Sequence, residues 1–188
     1  MRDLEPILTS ILSAASSALN EAGVPASLVH LAPGTTPAWD NCCEGGGQLW
    51  LRVVEVYPTS GGRGSFPAID TQQQGVAGGC GIHLLAVHLA LGVMRCAHTV
   101  NDQGVPPTGP EMTSDALATL TDLSVLLDVI GCEVPDVVGV QSAKVDRWNP
   151  QGVLGGCAGG EWGFFVAVDP CLCKPLPVVY PPEPDPGP

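Results

Sequence analysis

The sequence predicts a single α+β domain, with two helices laid against one mostly antiparallel sheet. Three observations predict it. Apolar residues recur at helical spacing in two separate stretches, β-branched and apolar runs lie between and after them, and 188 residues suit one hydrophobic core. Residues 1–170 read as that domain and residues 171–188 as an extended, proline-rich C-terminal arm.

Leu4, Ile7, Leu8, Ile11, Leu12, Ala15 and Leu19 recur every three or four residues, and Gly23 and Pro25 stop the pattern, so the chain opens with an amphipathic helix. Residues 26–47 carry neither the helical nor the strand period and run to Cys42-Cys43-Glu44-Gly45-Gly46-Gly47, which reads as a crossing loop. In Gln48 to Tyr57, Leu49, Leu51 and Val53 alternate with Trp50, Arg52 and Val54, giving a strand that Pro58 ends. The stretch to Gly81 is too long for an ordinary connection and reads as a contact loop. Ile82 to Cys96 is almost continuously apolar, as in a central strand covered on both faces or a strand pair broken at Gly92.

Met112, Ala116, Leu120, Leu123, Leu127 and Ile130 then form a second helical stripe, with Asp115, Asp122 and Asp128 mostly off it. Pro110 suits its first turn and Gly131 the position just past its end. Val137 to Trp148 and Trp162 to Asp169 read as two strands of a hairpin joined by the glycine-heavy segment 149–161. The prolines of the tail favour polyproline II over any packed element.

Nineteen acidic against seven basic residues give a formal charge of -12, which repels phosphate backbones and argues against a conventional nucleic-acid binder. The same acidity suits a surface past which nucleic acid must slide without sticking. Met1-Arg2-Asp3-Leu4-Glu5 carries acids where a signal peptide needs a basic segment, so no secretion signal is expected. The longest apolar run, Ile82 to Val93, contains two histidines and falls short of the roughly 20 residues of a membrane span. No membrane partner is expected.

His83 and His98 flank the strand that holds Cys96, which raises an imidazole-activated thiolate. The opposite strand parity of His83 and His88, and the apolar setting of Cys96, argue against it. Eight cysteines raise zinc, but an adjacent pair and the one-residue gap Cys171-Leu172-Cys173 are not the two-residue gaps of structural zinc sites. No metal ligand and no cofactor is therefore assigned. Disulfides among Cys42, Cys43, Cys132, Cys157, Cys171 and Cys173 stand beside the plainer reading of buried free thiols, with connectivity open. The glycine clusters at 45–47, 78–81, 155–156 and 159–160 lack a phosphate-loop pattern and read as tight turns, bulges or close approaches between subunits. Glu44, Glu161, Asp70 and Asp102 read as solvated loop acids, and the four tryptophans as core or interface anchors. No catalytic residue is assigned, and the sequence reads as non-enzymatic.

Three segments carry a resemblance: Ala38-Trp39-Asp40-Asn41-Cys42-Cys43, Leu91-Gly92-Val93-Met94-Arg95-Cys96-Ala97 and Gly155-Gly156-Cys157-Ala158-Gly159-Gly160-Glu161-Trp162. They look like segments of actinobacteriophage neck proteins. The order helix, strands, helix, hairpin is similar to the tail-terminator family of long-tailed phages. That resemblance covers most of residues 1–170 and implies a tail-terminator-like fold in a ring, hexameric in the family, that caps the tail tube and joins it to the head. It implies as partners further copies of the chain, the major tail tube protein, a head-to-tail stopper or connector protein, and phage DNA passing unbound through an acidic lumen. It places the chain in the virion at the head-to-tail junction after assembly in the host cytoplasm. The cysteine density and the proline tail depart from the family pattern, so a stopper or another connector ring stands as the alternative, and a cysteine-based metal-binding module as an alternative of another class. The third and weakest alternative is a small hydrolase using Cys96 or His98.

Overall fold

The computed structural model describes residues 4–34, 42–43, 46–59, 66–67 and 84–169. Most of the expected contact loop before Gly81, the glycines at 78–81, His83, Trp39 and the proline-rich arm lie outside the described residues. The elements are α1 (Leu4–Glu21), β1 (Leu28–Leu31), β2 (Gln48–Thr59), β3 (Leu84–Cys96), α2 (Gly109–Asp128), β4 (Val140–Leu154) and β5 (Cys157–Val168). The five strands form one mixed sheet in the order β1-β2-β3-β5-β4, and the two helices pack on one of its faces, an α+β architecture. The strand β1 is a departure from the sequence reading, which leaves residues 26–47 as loop. It runs parallel to β2, with His30 opposite Trp50. Four residues are too few to show a period, so only the pairing reveals the strand.

The sheet's period of two divides its residues cleanly. On the helix side, Leu49 and Leu51 of β2, Val87, Leu89, Leu91 and Val93 of β3 and Phe164, Val166 and Val168 of β5 pack against Ile7, Leu8, Ile11, Leu12, Ala15 and Leu19 of α1. The opening stripe of the sequence is therefore the buried face of α1. The strand β3 is central and continuous; Gly92 does not break it. Gly92 lies between Trp50 and Glu161 in the ladder, and a side chain there would overlap the Trp50 indole and approach Glu161 Cβ to 2.8 Å. Glycine is needed because the indole crosses the strand.

The helix α2 corrects the sequence reading. Its start is as expected, with Pro110 in the first turn, and it adds a capping box in which the Thr108 hydroxyl accepts from the Glu111 backbone and Glu111 reaches back to the Thr108 amide. Its inward face, however, is built from Asp122 and Leu126, while Met112, Ala116 and Leu120 face out. Asp122 is drawn inward by an ion pair to Arg95, which outweighs the rotation the apolar stripe alone favours. Gly131 does not end the helix either. It sits in a π turn, Val129–Glu133, that continues from α2 and turns the chain with Val129, Ile130 and Val134 buried.

The segment 149–161, read from sequence as the glycine-heavy connection of the hairpin, is mostly strand. The ladder of β4 and β5 runs out to Leu154 opposite Cys157, closed by Gly155 and Gly156 at φ +58° and +84°. Two consecutive positive φ values make the tight hairpin turn that only glycine adopts freely. The sheet edge β4 carries three register irregularities, Pro150, Lys144 and Arg147, features that discourage uncontrolled strand addition.

Candidate assembly surface

The outward face of α2 exposes three large apolar side chains. Met112, Leu117 and Leu120 are 54%, 59% and 57% exposed, and the positions between them on that face include Thr113, Ala116, Thr121 and Ser124. No charged side chain interrupts it until Asp128 in a chain of net charge -12. The other acids of this helix are used elsewhere: Glu111 caps the N-terminus, Asp122 is 1% exposed against Arg95, and Asp115 binds His98. Those three assignments leave the solvent side of α2 uncharged as far as Asp128, with three large apolar side chains among hydroxyl-bearing residues.

Two buried ion pairs hold the frame that presents this helix. Arg95, at the end of β3, donates through Nε and Nη2 to the two carboxylate oxygens of Asp122, each at 2.6 Å. It also donates to the carbonyls of Val24 at 2.7 Å, Pro25 at 3.0 Å and Gly46 at 2.5 Å. All five guanidinium protons thus have acceptors, drawn from α2, the turn after α1 and the turn before β2. Burial pushes the Asp122 carboxyl above the usual aspartate value, and the Arg95 hydrogen bonds and charge oppose that rise. The second pair lies on the opposite sheet face, where Glu161 accepts from Arg52 Nη2 at 2.5 Å and Nε at 3.1 Å and from the Trp50 indole at 3.3 Å. Glu161 is therefore a buried, 5% exposed structural acid and not the solvated loop residue the sequence suggests. Asp102 is exposed, and Glu44 and Asp70 lie outside the described residues.

Beside this second pair sits a small separate core of Ala32, Cys42, Trp50, Met94 and Cys157. Here the structure pairs Cys42 with Cys157 and Cys43 with Cys96, with Cα atoms 5.8 and 4.4 Å apart. Cys96 and Cys157 are direct cross-strand neighbours at the end of the β3–β5 ladder. Of the sequence candidates, Cys132 is an exposed free thiol, while Cys171 and Cys173 lie outside the described residues. Cys96 is absent from the sequence candidates. Its signal is only its strand-end position, and nothing local shows that Cys157 lies beside it.

Cys96 is bonded to Cys43 in this structure. His98 forms an exposed pair with Asp115, Nδ1 to Oδ1 at 2.9 Å, and the Asp115 carboxylate also accepts from the His98 amide. His88 stacks on Phe165 with ring centroids 4.3 Å apart, and burial lowers its pKa against the opposing pull of Asp146 and Glu55. Trp162 donates to the Leu123 carbonyl at 2.9 Å and meets Trp148 edge to face, fastening α2 to the hairpin. A shallow depression along α1, lined by Glu5, Pro6, Thr9, Ser10 and Ser13, offers hydroxyls and one carboxylate without a base beside a nucleophile. Among the described residues no group of three or more metal-ligating side chains is arranged to hold an ion, and no helix is long and apolar enough to cross a membrane. No protein family model matches the chain, and no curated protein matches it.

Proposed function

We propose that the chain is a structural subunit that assembles with copies of itself into a ring at the head-to-tail junction of a long-tailed phage, acting as the tail terminator. The observation that carries this reading is the uncharged apolar face of α2. Burying Met112, Leu117 and Leu120 against a neighbour contributes on the order of 1 kcal/mol for each half-exposed side chain. A ring needs a heterologous contact, in which two different patches meet around an axis. The exposed cations Lys144 and Arg147 lie on the sheet edge β4, an element apart from α2. Arg147 pairs there with the adjacent Asp146, so each subunit offers an uncharged helix face and a charged sheet edge as separate patches. The net acidity suits a lumen through which DNA passes unbound. Electron microscopy of the purified chain, alone and mixed with tail tubes, tests the reading. Rings that cap tube ends are expected; a chain that stays monomeric at high concentration and never caps tubes overturns it. A chain that forms rings but binds only the head connector is a stopper.

A further inference from the structure

We propose that Cys42 and Cys43 form a redox-operated clasp, open in the reduced chain and closed on oxidation, which locks the β1–β2 connection onto the end of the sheet without being needed to fold it. Four sulfurs from three distant segments meet at one place. The adjacent Cys42 and Cys43 reach Cys157 on β5 and Cys96 on β3, and the Cys42 and Cys43 sulfurs stand 3.8 Å apart. The bonds span sequence separations of 115 and 53 residues, which joins the β1–β2 connection covalently to both central strands.

Two observations make the clasp an addition to the fold. The main core, where α1 and the turn after α2 pack on the sheet, contains no cysteine, so folding of that layer does not depend on sulfur oxidation. The clasp sulfurs of Cys42 and Cys157 lie in the separate cluster around Trp50 and Met94. Arg95 independently holds the backbone at Gly46, three residues after Cys43, through a hydrogen bond that involves no sulfur.

The two bonds differ in access. Cys42 and Cys157 are each 2% exposed, whereas Cys43 and Cys96 face solvent. Closure of the outer pair begins when one of its thiolates attacks a small-molecule disulfide. A mixed disulfide forms and one small thiol leaves. The second protein thiolate then attacks that mixed disulfide and expels the second small thiol. Two protein thiols are oxidised by two electrons, one small disulfide is reduced to two thiols, and the protons pass to them. The inner pair closes by the same exchange. Reduction runs the other way and reaches the exposed Cys43–Cys96 bond first.

The test uses the full chain, once under reductant and once after incubation with oxidised glutathione. Trypsin cuts after Arg52, Arg95, Lys144 and Arg147, which separates the Cys42-Cys43 peptide from those holding Cys96 and Cys157. The oxidised chain is expected to yield one three-peptide species, with fragmentation placing the bonds at Cys42–Cys157 and Cys43–Cys96. Graded reductant should release Cys43 and Cys96 at least several-fold faster than Cys42 and Cys157. The reduced chain should keep its far-UV circular dichroism and cooperative unfolding, with a midpoint lower by on the order of 10 °C. Its hydrogen exchange should rise from Gly46 to Trp50 and stay unchanged in the buried helix face from Ile11 to Leu19.

Four outcomes overturn the proposal. They are free thiols at all four positions after oxidation, the alternative pairing Cys42–Cys43 with Cys96–Cys157, a reduced chain without cooperative unfolding, and one equivalent of Zn²⁺ withdrawing the four thiols of the reduced chain. The last would make the cluster a tetrathiolate metal centre. The variant Cys43→Ser/Cys96→Ser removes only the exposed bond; it should fold and retain Cys42–Cys157, and loss of that inner bond would refute independent closure. Ring formation is read separately by microscopy, so failure of the clasp and failure of the ring reading are distinguishable.

Discussion

Replacing Gly92 by alanine tests whether the second sheet face is as tightly fitted as its geometry implies. The added methyl overlaps the ring of Trp50, which is fully buried, and lies 2.8 Å from Glu161 Cβ. Neither neighbour moves freely, because Glu161 is held by both Arg52 and the Trp50 indole. Overpacking of this kind costs about 1–3 kcal/mol. If the indole is displaced, its hydrogen bond to a charged acceptor is lost as well, at about 1.5–3 kcal/mol, with the lower end suited to a 3.3 Å bond. Together these give a destabilisation of roughly 2.5–4.5 kcal/mol, a large share of a domain's usual 5–15 kcal/mol. Urea unfolding followed by far-UV circular dichroism reads it as a lower midpoint at unchanged slope. A double-mutant cycle with Trp50→Leu then isolates the contact, because alanine at 92 meets less resistance once the indole is gone. The coupling should exceed about 1 kcal/mol. A Gly92→Ala loss below about 0.5 kcal/mol, or full additivity with Trp50→Leu, would refute the close-approach explanation.

The remaining predictions concern α2, its anchor and the histidines. Leu117→Glu/Leu120→Glu should abolish self-assembly in sedimentation while changing monomer stability by no more than about 0.5 kcal/mol per site, since both side chains are exposed. Arg95→Ala strands the Asp122 carboxylate and three carbonyls and should cost about 3–5 kcal/mol in urea unfolding, while Arg95→Met/Asp122→Leu recovers most of that loss. Burial lowers the pKa of His30 and His88 below the ordinary 6.5, so the stability they contribute by staying neutral is present above that value. It is lost as pH falls through their folded-state values, and thermal unfolding across that window should show a flatter pH dependence for His88→Phe than for the parent chain.

The parts of this fold legible in the sequence are those with a sustained local period. The stripe from Ile7 to Leu19 is the buried face of α1, and the continuous apolar run ending at Cys96 is the central strand β3. The apolar period misleads in α2, because Met112, Ala116 and Leu120 form an outward stripe, and the inward face is set by a partner of Asp122 that lies 27 residues away at Arg95. Long-range pairing hides the rest. Glu161 and Arg52 are 109 residues apart, and nothing near either announces that a carboxylate in a glycine-rich stretch will be buried. The clasp is partly visible, since Cys42, Cys43 and Cys157 are candidate disulfide residues, but Cys96 looks apolar from its neighbours and comes within reach of Cys43 only because β3 and β5 set it beside Cys157, the partner of the adjacent Cys42.

The two faces of the sheet therefore carry different kinds of stability. The helix side combines apolar burial, which needs no cofactor or redox state, with the buried pair of Arg95 and Asp122 that orients α2. The opposite side combines a bidentate ion pair, a tryptophan lying across a glycine, and two disulfides, each of which requires a specific geometry before it contributes. Buried ion pairs add little net stability over apolar packing but penalise alternative arrangements, because a displaced partner leaves a charge unpaired. That asymmetry separates what sets the architecture from what fixes the end of the sheet. Apolar burial acts whatever the state of the thiols, and the proposed clasp adds its constraint only where reductant is absent.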